Sequence, residues 1–144
     1  MIEDGPVEFQ ANVDNLLGYL SRPTSPRPHP GVLVVHENRG LLPHFADVTH
    51  RLAAEGHVAL TIDMLSRQGG TDSFPDTDAM RSALSAIPTS QTVEDGNAGV
   101  EYLQSQPYVT GNRVGPMEFC FGGSIVWLVA VGNARTSRRG PFLR

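Results

Sequence analysis

Glu118-Phe119-Cys120-Phe121-Gly122-Gly123 is the stretch of this sequence best suited to chemistry. It holds the one cysteine of the chain, placed between a buried-strand pattern and an apolar helix pattern. A nucleophile on a sharp strand-to-helix turn stands clear of its sheet, and small neighbours relieve the crowding. The N-terminus of the following helix favours negative charge and so lowers a thiol pKa. The backbone N–H of Phe121 would point where an oxyanion forms. Read alone, Cys120 is equally well a small buried hydrophobe.

Two further clusters share that character. His36-Glu37-Asn38-Arg39-Gly40 follows the apolar run Val32-Leu33-Val34-Val35, at the strand end where open parallel sheets collect ligands and catalytic groups. A solvated loop is the competing reading. Ser66-Arg67-Gln68-Gly69-Gly70 comes after a second buried run. The planar fork of Arg67 suits a substrate carboxylate, although a surface arginine would look the same.

The elements that must position these residues follow from hydrophobic periodicity. Residues 7–11 alternate apolar and polar, and 16–20 form a second short strand, which predicts an antiparallel hairpin at a sheet edge joined through 12–15. Four prolines within 21–30 predict a loop. Residues 32–35, 58–62 and 113–119 read as strands buried on both faces. Helices are expected at 45–55, with Gly56 ending it, at 78–86, at 91–105 with Val93, Ala98 or Asn97, Val100, Tyr102 and Leu103 as its apolar face, and at 121–131. Residues 66–75 read as a long loop. A hairpin followed by alternating strands and helices predicts a layered α/β fold with a mostly parallel sheet.

Composition narrows the class. The 144 residues amount to one domain. Eleven basic against fifteen acidic side chains give a net charge of −4, which disfavours nucleic acid as a partner. A lone cysteine forms no internal disulfide, and the acidic N-terminus lacks the order of a signal peptide, so a cytoplasmic setting is expected. The longest apolar run, 125–131, is too short to span a membrane. No histidine set has metal-ligand spacing and no glycine-rich phosphate loop follows the first buried strand, so neither a metal nor an organic cofactor is expected.

The three clusters in their order, Val-Val-His-Glu-Asn-Arg-Gly, Ile-Asp-Met-Leu-Ser-Arg-Gln-Gly-Gly and Phe-Cys-Phe-Gly-Gly, resemble the dienelactone hydrolase (carboxymethylenebutenolidase) family over residues 7–131. The resemblance implies an α/β-hydrolase that opens enol-lactones and related esters through a Cys-His-Asp triad. It makes Cys120 the nucleophile and Glu37 the carboxylate that holds the resting thiol and helps deprotonate it. The N–H groups of Asn38 and Phe121 would form the oxyanion hole. Arg67 would be one of two arginines gripping a substrate carboxylate, which implies an anionic ester or lactone as the small-molecule partner.

The sequence departs from the family in three places. Twenty-four residues follow Cys120 and include neither His nor Asp, while all five histidines (His29, His36, His44, His50, His57) precede it. Such a chain is expected to be weak or inactive as it stands. Pro116 falls in an expected central strand, and Glu118 occupies a position where the family has glycine, so a distorted elbow is expected. Finally, 134–144 form an arginine-rich tail to an incomplete hydrolase domain at 1–133. Ala-Arg-Thr-Ser-Arg-Arg can be encoded so that a neighbouring frame reads Pro-Asp-Leu-Ala-Ala, which suggests an out-of-frame end. An uncovered apolar face would then favour self-association. The competing functions are a non-catalytic half-domain that pairs with another chain and a non-functional fragment.

Overall fold

The computed structural model describes residues 1–36 and 40–118. Two strands open the chain, β1 (Ile2–Ala11) and β2 (Asp14–Pro23), as an antiparallel hairpin in register from Ile2 opposite Pro23 to Ala11 opposite Asp14. Only Asn12 and Val13 make the turn. Asn12 takes a φ of 58°, a conformation that asparagine tolerates better than most residues. Asp14 and Asn15 therefore join the strand instead of the loop. β1 also starts five residues before its apolar alternation does. Cross-strand polar pairs explain the extension: Arg22 bridges its register partner Glu3 at 2.6 Å, and the Tyr19 hydroxyl donates to Asp4 at 3.0 Å. Pro6 is tolerated because β1 is an edge strand.

The interior of the sheet is parallel. β3 (His29–Val35) lies between β4 (Val58–Ile62) and β5 (Val109–Glu118), parallel to both, and the full order is β1-β2-β4-β3-β5. The expected proline-rich loop at 21–30 shrinks to residues 24–28. Pro23 closes the end of β2, and Pro30 sits where the β3–β5 register shifts between His29 and Gly31. A bulge is one of the few strand positions that accommodates proline. Pro116 is likewise accommodated. It pairs with Leu33 inside an unbroken register, and among the described residues β5 is hydrogen-bonded only to β3.

Alternation along β3 sends its side chains to two cores. Val32 and Val34 pack with Phe45 and Met117 on one face, covered by α1 (Pro43–Ala54). Leu33 and Val35 pack with Leu60, Ile62, Val100 and Leu103 on the other. There α3 (Thr89–Gln104) crosses the sheet, preceded by α2 (Thr77–Ala86), whose first turn is capped by the Asp76 carboxylate accepting from the Ala79 N–H at 2.7 Å. α1 ends at Ala54, and Gly56 follows with a φ of 93°, as expected for a residue just past a helix end.

The buried face of α3 differs from the expected one. It keeps Val100 and Leu103, with Ala98 and Tyr102 partly buried against the same core, but Thr92, Asp95, Gly96 and Gly99 are buried in addition and Val93 is not part of it. Gly99 explains the rotation. A Cβ there would run into Ile62 and come within 2.9 Å of Leu33 Cδ1, so the helix backbone lies directly on the sheet. The same rotation turns Asp95 inward. The expected helix at 121–131 lies outside the described residues.

Candidate active site

The carboxyl ends of β3, β4 and β5 fall at one end of the sheet, and the sequence motifs follow those ends. His36, the first residue past β3, is fully buried. Its Nε2 accepts the Met64 N–H at 3.0 Å, and an accepting Nε2 carries no proton. The ring also lies edge-on to Phe45, 6.2 Å between centroids. His36 thus fastens the end of β3 to the end of β4.

Asp63, the first residue past β4, organises the next loop. Its Oδ1 accepts from the Leu65 N–H at 3.0 Å and the Thr71 hydroxyl at 2.8 Å, and its Oδ2 from the Thr71 N–H at 2.7 Å. Thr71 Oγ1 in turn accepts the Leu41 N–H at 2.9 Å. One buried carboxylate therefore ties the segment after β3 to the segment after β4. Ser66 adds a link to the hairpin, its hydroxyl accepting the Leu17 N–H at 2.9 Å and donating to the Asp63 carbonyl. The predicted loop at 66–75 is consequently ordered into two short 3₁₀ turns, Ser66–Gln68 and Thr71–Ser73. Composition hid Asp63, because its neighbours read as an apolar strand end. Gly40, with a φ of 76°, closes the β3 segment against these groups, where a Cβ would meet Met80 Sδ and Thr71 Oγ1 at 2.6 Å.

Arg67, expected to grip a substrate carboxylate, is engaged by acidic side chains of the protein itself. Its Nη1 donates to Asp14 at 2.8 Å, and its Nη2 donates to Asp95 at 2.6 Å and lies 3.5 Å from Glu94. The guanidinium joins the hairpin, the loop after β4 and α3 through three carboxylates. The Asp95 side chain is 1% exposed. Burial pushes its carboxyl above the usual carboxylate range, and the Arg67 hydrogen bond pulls it partly back. The same bond holds Arg67 more firmly charged. The Asp95 partner went unseen because it stands among polar residues on α3, off the expected apolar stripe.

Glu37, Asn38, Cys120 and Phe121 lie outside the described residues, as does the whole of the turn at 119–123. What the described residues fix is the frame around them. β3 and β5 are parallel neighbours whose register ends on Val35 opposite Glu118.

A cleft of about 600 Å³ opens at this end of the sheet, on the α1 face. Val7, Leu17, Gly18, Leu41, Leu42 and Ala46 form much of its wall, with Asp63 at the end of β4. Among the described residues, no group of three His, Cys, Asp or Glu side chains is arranged to hold a metal ion, and no helix is long and apolar enough to cross a membrane.

Comparison with known proteins fits this frame. Residues 16–142 match the dienelactone hydrolase family. A carboxymethylenebutenolidase homologue of Methylorubrum extorquens is 34% identical over 130 residues, which cover 90% of this chain and 45% of that protein. One from Escherichia coli K12 is 35% identical over 125 residues, 83% of this chain and 45% of that protein. The crystal structure of a dienelactone hydrolase homologue of Klebsiella pneumoniae superposes with a TM-score of 0.84 at 28% identity, covering 94% of this chain and 57% of that one. The chain spans about half the length of the curated relatives it matches. Hairpin, parallel sheet and flanking helices are those of the α/β-hydrolases, and the chain belongs to the dienelactone hydrolase family.

Proposed function

We propose that this chain carries the nucleophile half of a hydrolase that cleaves carboxylic esters or lactones. The observation that carries the reading is the β3–β5 register. Glu37 stands two residues past Val35, and Cys120 two residues past Glu118, its register partner on the neighbouring parallel strand. A carboxylate and a thiol at equal sequence offsets past a paired position of two adjacent parallel strands suit a nucleophile and the group that deprotonates it. The Cys120 thiolate adds to the substrate carbonyl, and the Asn38 and Phe121 N–H groups stabilise the oxyanion. The C–O bond breaks, the leaving oxygen takes a proton or departs as an enolate, and water then hydrolyses the thioester. That last step needs a base. No His or Asp follows Cys120 in these 144 residues, so the triad base that the family resemblance implies is not among them, and we expect these residues to acylate at Cys120 with poor turnover. A thiol nucleophile and the absence of any second cysteine suit a reducing, cytoplasmic setting.

The acyl step is measurable without the missing base. Mixing the protein with p-nitrophenyl acetate releases a burst of nitrophenolate equal to the Cys120 content. Glu37→Gln slows that burst by about 10²-fold, within the range for loss of a general base. An unchanged burst rate in Glu37→Gln contradicts the assignment of that residue.

A second reading, a half-domain completed by another chain, has one observation behind it. Among the described residues β5 has a hydrogen-bonded neighbour on one side only, and an open strand edge invites pairing. Sedimentation at several concentrations tests it. Reversible association favours pairing with a second copy, and a monomer at every concentration excludes that form of pairing.

A further inference from the structure

We propose that Ser25, on the loop between β2 and β3, is a phosphoryl-acceptor site, with His29 taking its proton and Arg27 meeting the phosphate. The site lies at the opposite end of the sheet from the cleft. His29 opens β3, and Gly56, which holds the His29 ring, stands just before β4. The inference is therefore independent of the hydrolase reading.

Hydrogen bonding fixes the roles within the pair. His29 is 4% exposed, and its Nδ1 lies 3.1 Å from the Gly56 carbonyl oxygen. A carbonyl only accepts, so Nδ1 carries the proton and Nε2 of the neutral ring has a lone pair to offer. Ser25 Oγ lies 2.6 Å from that Nε2, so the hydroxyl donates to it. A hydroxyl held against an imidazole whose far nitrogen is anchored is the arrangement that activates a serine nucleophile. Here a backbone carbonyl does the anchoring.

The loop is built to keep this geometry. Thr24 is tied to the Met1 carbonyl by its backbone N–H at 3.1 Å and its hydroxyl at 3.2 Å. At the other end the His29 N–H donates to the Tyr108 carbonyl at 3.0 Å. Pro23, Pro26 and Pro28 fix φ at three positions around Ser25, so the serine is oriented before any substrate arrives. His29 is buried, but Ser25 is exposed, and so is Arg27 two residues on. The nucleophile is accessible, and a guanidinium on the same loop attracts an anion.

These groups select the donor. The loop supplies a nucleophile, a base and a cation, so the donor must be an anion that brings its own good leaving group, as an acyl phosphate does. Ser25 Oγ bonds to phosphorus, the bond from phosphorus to the acyl oxygen breaks, and the carboxylate departs with its electron pair. The hydroxyl proton passes to His29 Nε2. The imidazolium then donates from Nδ1 to Gly56 and from Nε2 to the new phosphate, a charge-assisted pair. The same two ring nitrogens serve the serine before transfer and the phosphoserine after it.

The test is incubation of the full chain with acetyl phosphate, followed by fragmentation mass spectrometry that resolves Ser25 from Thr24. Thr24 is the internal control, an exposed hydroxyl whose hydrogen goes to a carbonyl instead of a base. Ser25 is expected to gain a phosphoryl group about 10²-fold faster than Thr24, the scale of general-base assistance. His29→Gln brings Ser25 down to the Thr24 rate. Arg27→Ala slows Ser25 about fivefold, the scale of one exposed charge pair. ATP with magnesium leaves Ser25 unlabelled. If His29→Gln fails to fold, the comparison of Ser25 with Thr24 in the unaltered chain decides alone. The proposal is overturned if the two hydroxyls are labelled equally or not at all, or if Ser25 gains an acetyl group instead. It is overturned equally if folded His29→Gln or Arg27→Ala reacts at the wild-type rate, or if ATP labels Ser25 as fast as acetyl phosphate does.

Discussion

Arg67→Ala should cost about 3 kcal/mol of folding stability, the low end of the range for stranding a buried charge. The figure follows from one partner. Asp14 and Glu94 are 44% and 42% exposed and recover water when the arginine goes, whereas Asp95 is 1% exposed and does not. Urea denaturation of wild type, Arg67→Ala and the double variant Arg67→Ala/Asp95→Asn measures this. The double variant regains a large part of the loss, because no buried charge is left over. An arginine kept for substrate would instead cost almost nothing in the unliganded protein. A stability change below about 0.5 kcal/mol, the ordinary scale of surface substitutions, would contradict the structural role.

The same pair has a pH signature. Burial raises the Asp95 carboxyl above its usual value, with Arg67 lowering it in part. The folded protein therefore holds that proton more tightly than the unfolded chain. The Asp95 contribution to stability is fully present below the ordinary carboxylate pKa and declines as pH rises towards the raised value. Without Arg67 the carboxyl rises further, so the decline extends to higher pH. The penalty of Arg67→Ala should accordingly shrink as the solution is acidified through that window. A penalty that grows on acidification would contradict this account.

The parallel centre of the sheet was legible in the sequence because strands buried on both faces leave continuous apolar runs. The run at 58–62 coincides with β4, and Val32-Leu33-Val34-Val35 lies wholly inside β3. Boundaries set by polar contacts were not legible. β1 reaches back to Ile2 through Arg22–Glu3 and Tyr19–Asp4, pairs formed only once the hairpin closes. The face of α3 was read only in part for a related reason. Periodicity weighs apolar side chains, whereas Gly96 and Gly99 are buried because the helix backbone approaches the sheet. That approach also buries Asp95, and with it decides the fate of Arg67. Sequence spacing located Arg67 beside the site. It carried no information that Asp14 and the adjacent pair Glu94 and Asp95, all distant from Arg67 in the chain, converge on its guanidinium.

Asp63 teaches the complementary point. At the end of a buried strand it reads as a polar stop, yet its two oxygens hold Leu65 and Thr71, and through Thr71 the Leu41 backbone. The segments that flank the expected oxyanion donor and the cleft thus depend on a residue outside the expected catalytic set. Support of this kind, from the protein interior outward, keeps reacting groups within the small tolerances that catalysis requires.

The second large effect concerns Cys120 itself. An acyl group transferred to a thiol persists as a thioester when the hydrolytic base is lacking, so the covalent intermediate should accumulate on this chain. Cys120→Ala removes the only sulfhydryl in the sequence and with it every acceptor of thioester chemistry. The expected fall in acylation rate is about 10³-fold or more, the scale seen when a nucleophile is deleted and binding alone remains. The measurement is the intact mass of the protein after brief exposure to an uncharged activated ester, followed by peptide mapping, for wild type and Cys120→Ala side by side. The account predicts one added acyl group, carried on the peptide that contains Cys120 and absent from the variant. An unmodified wild-type chain, or equal labelling of both proteins, would contradict it.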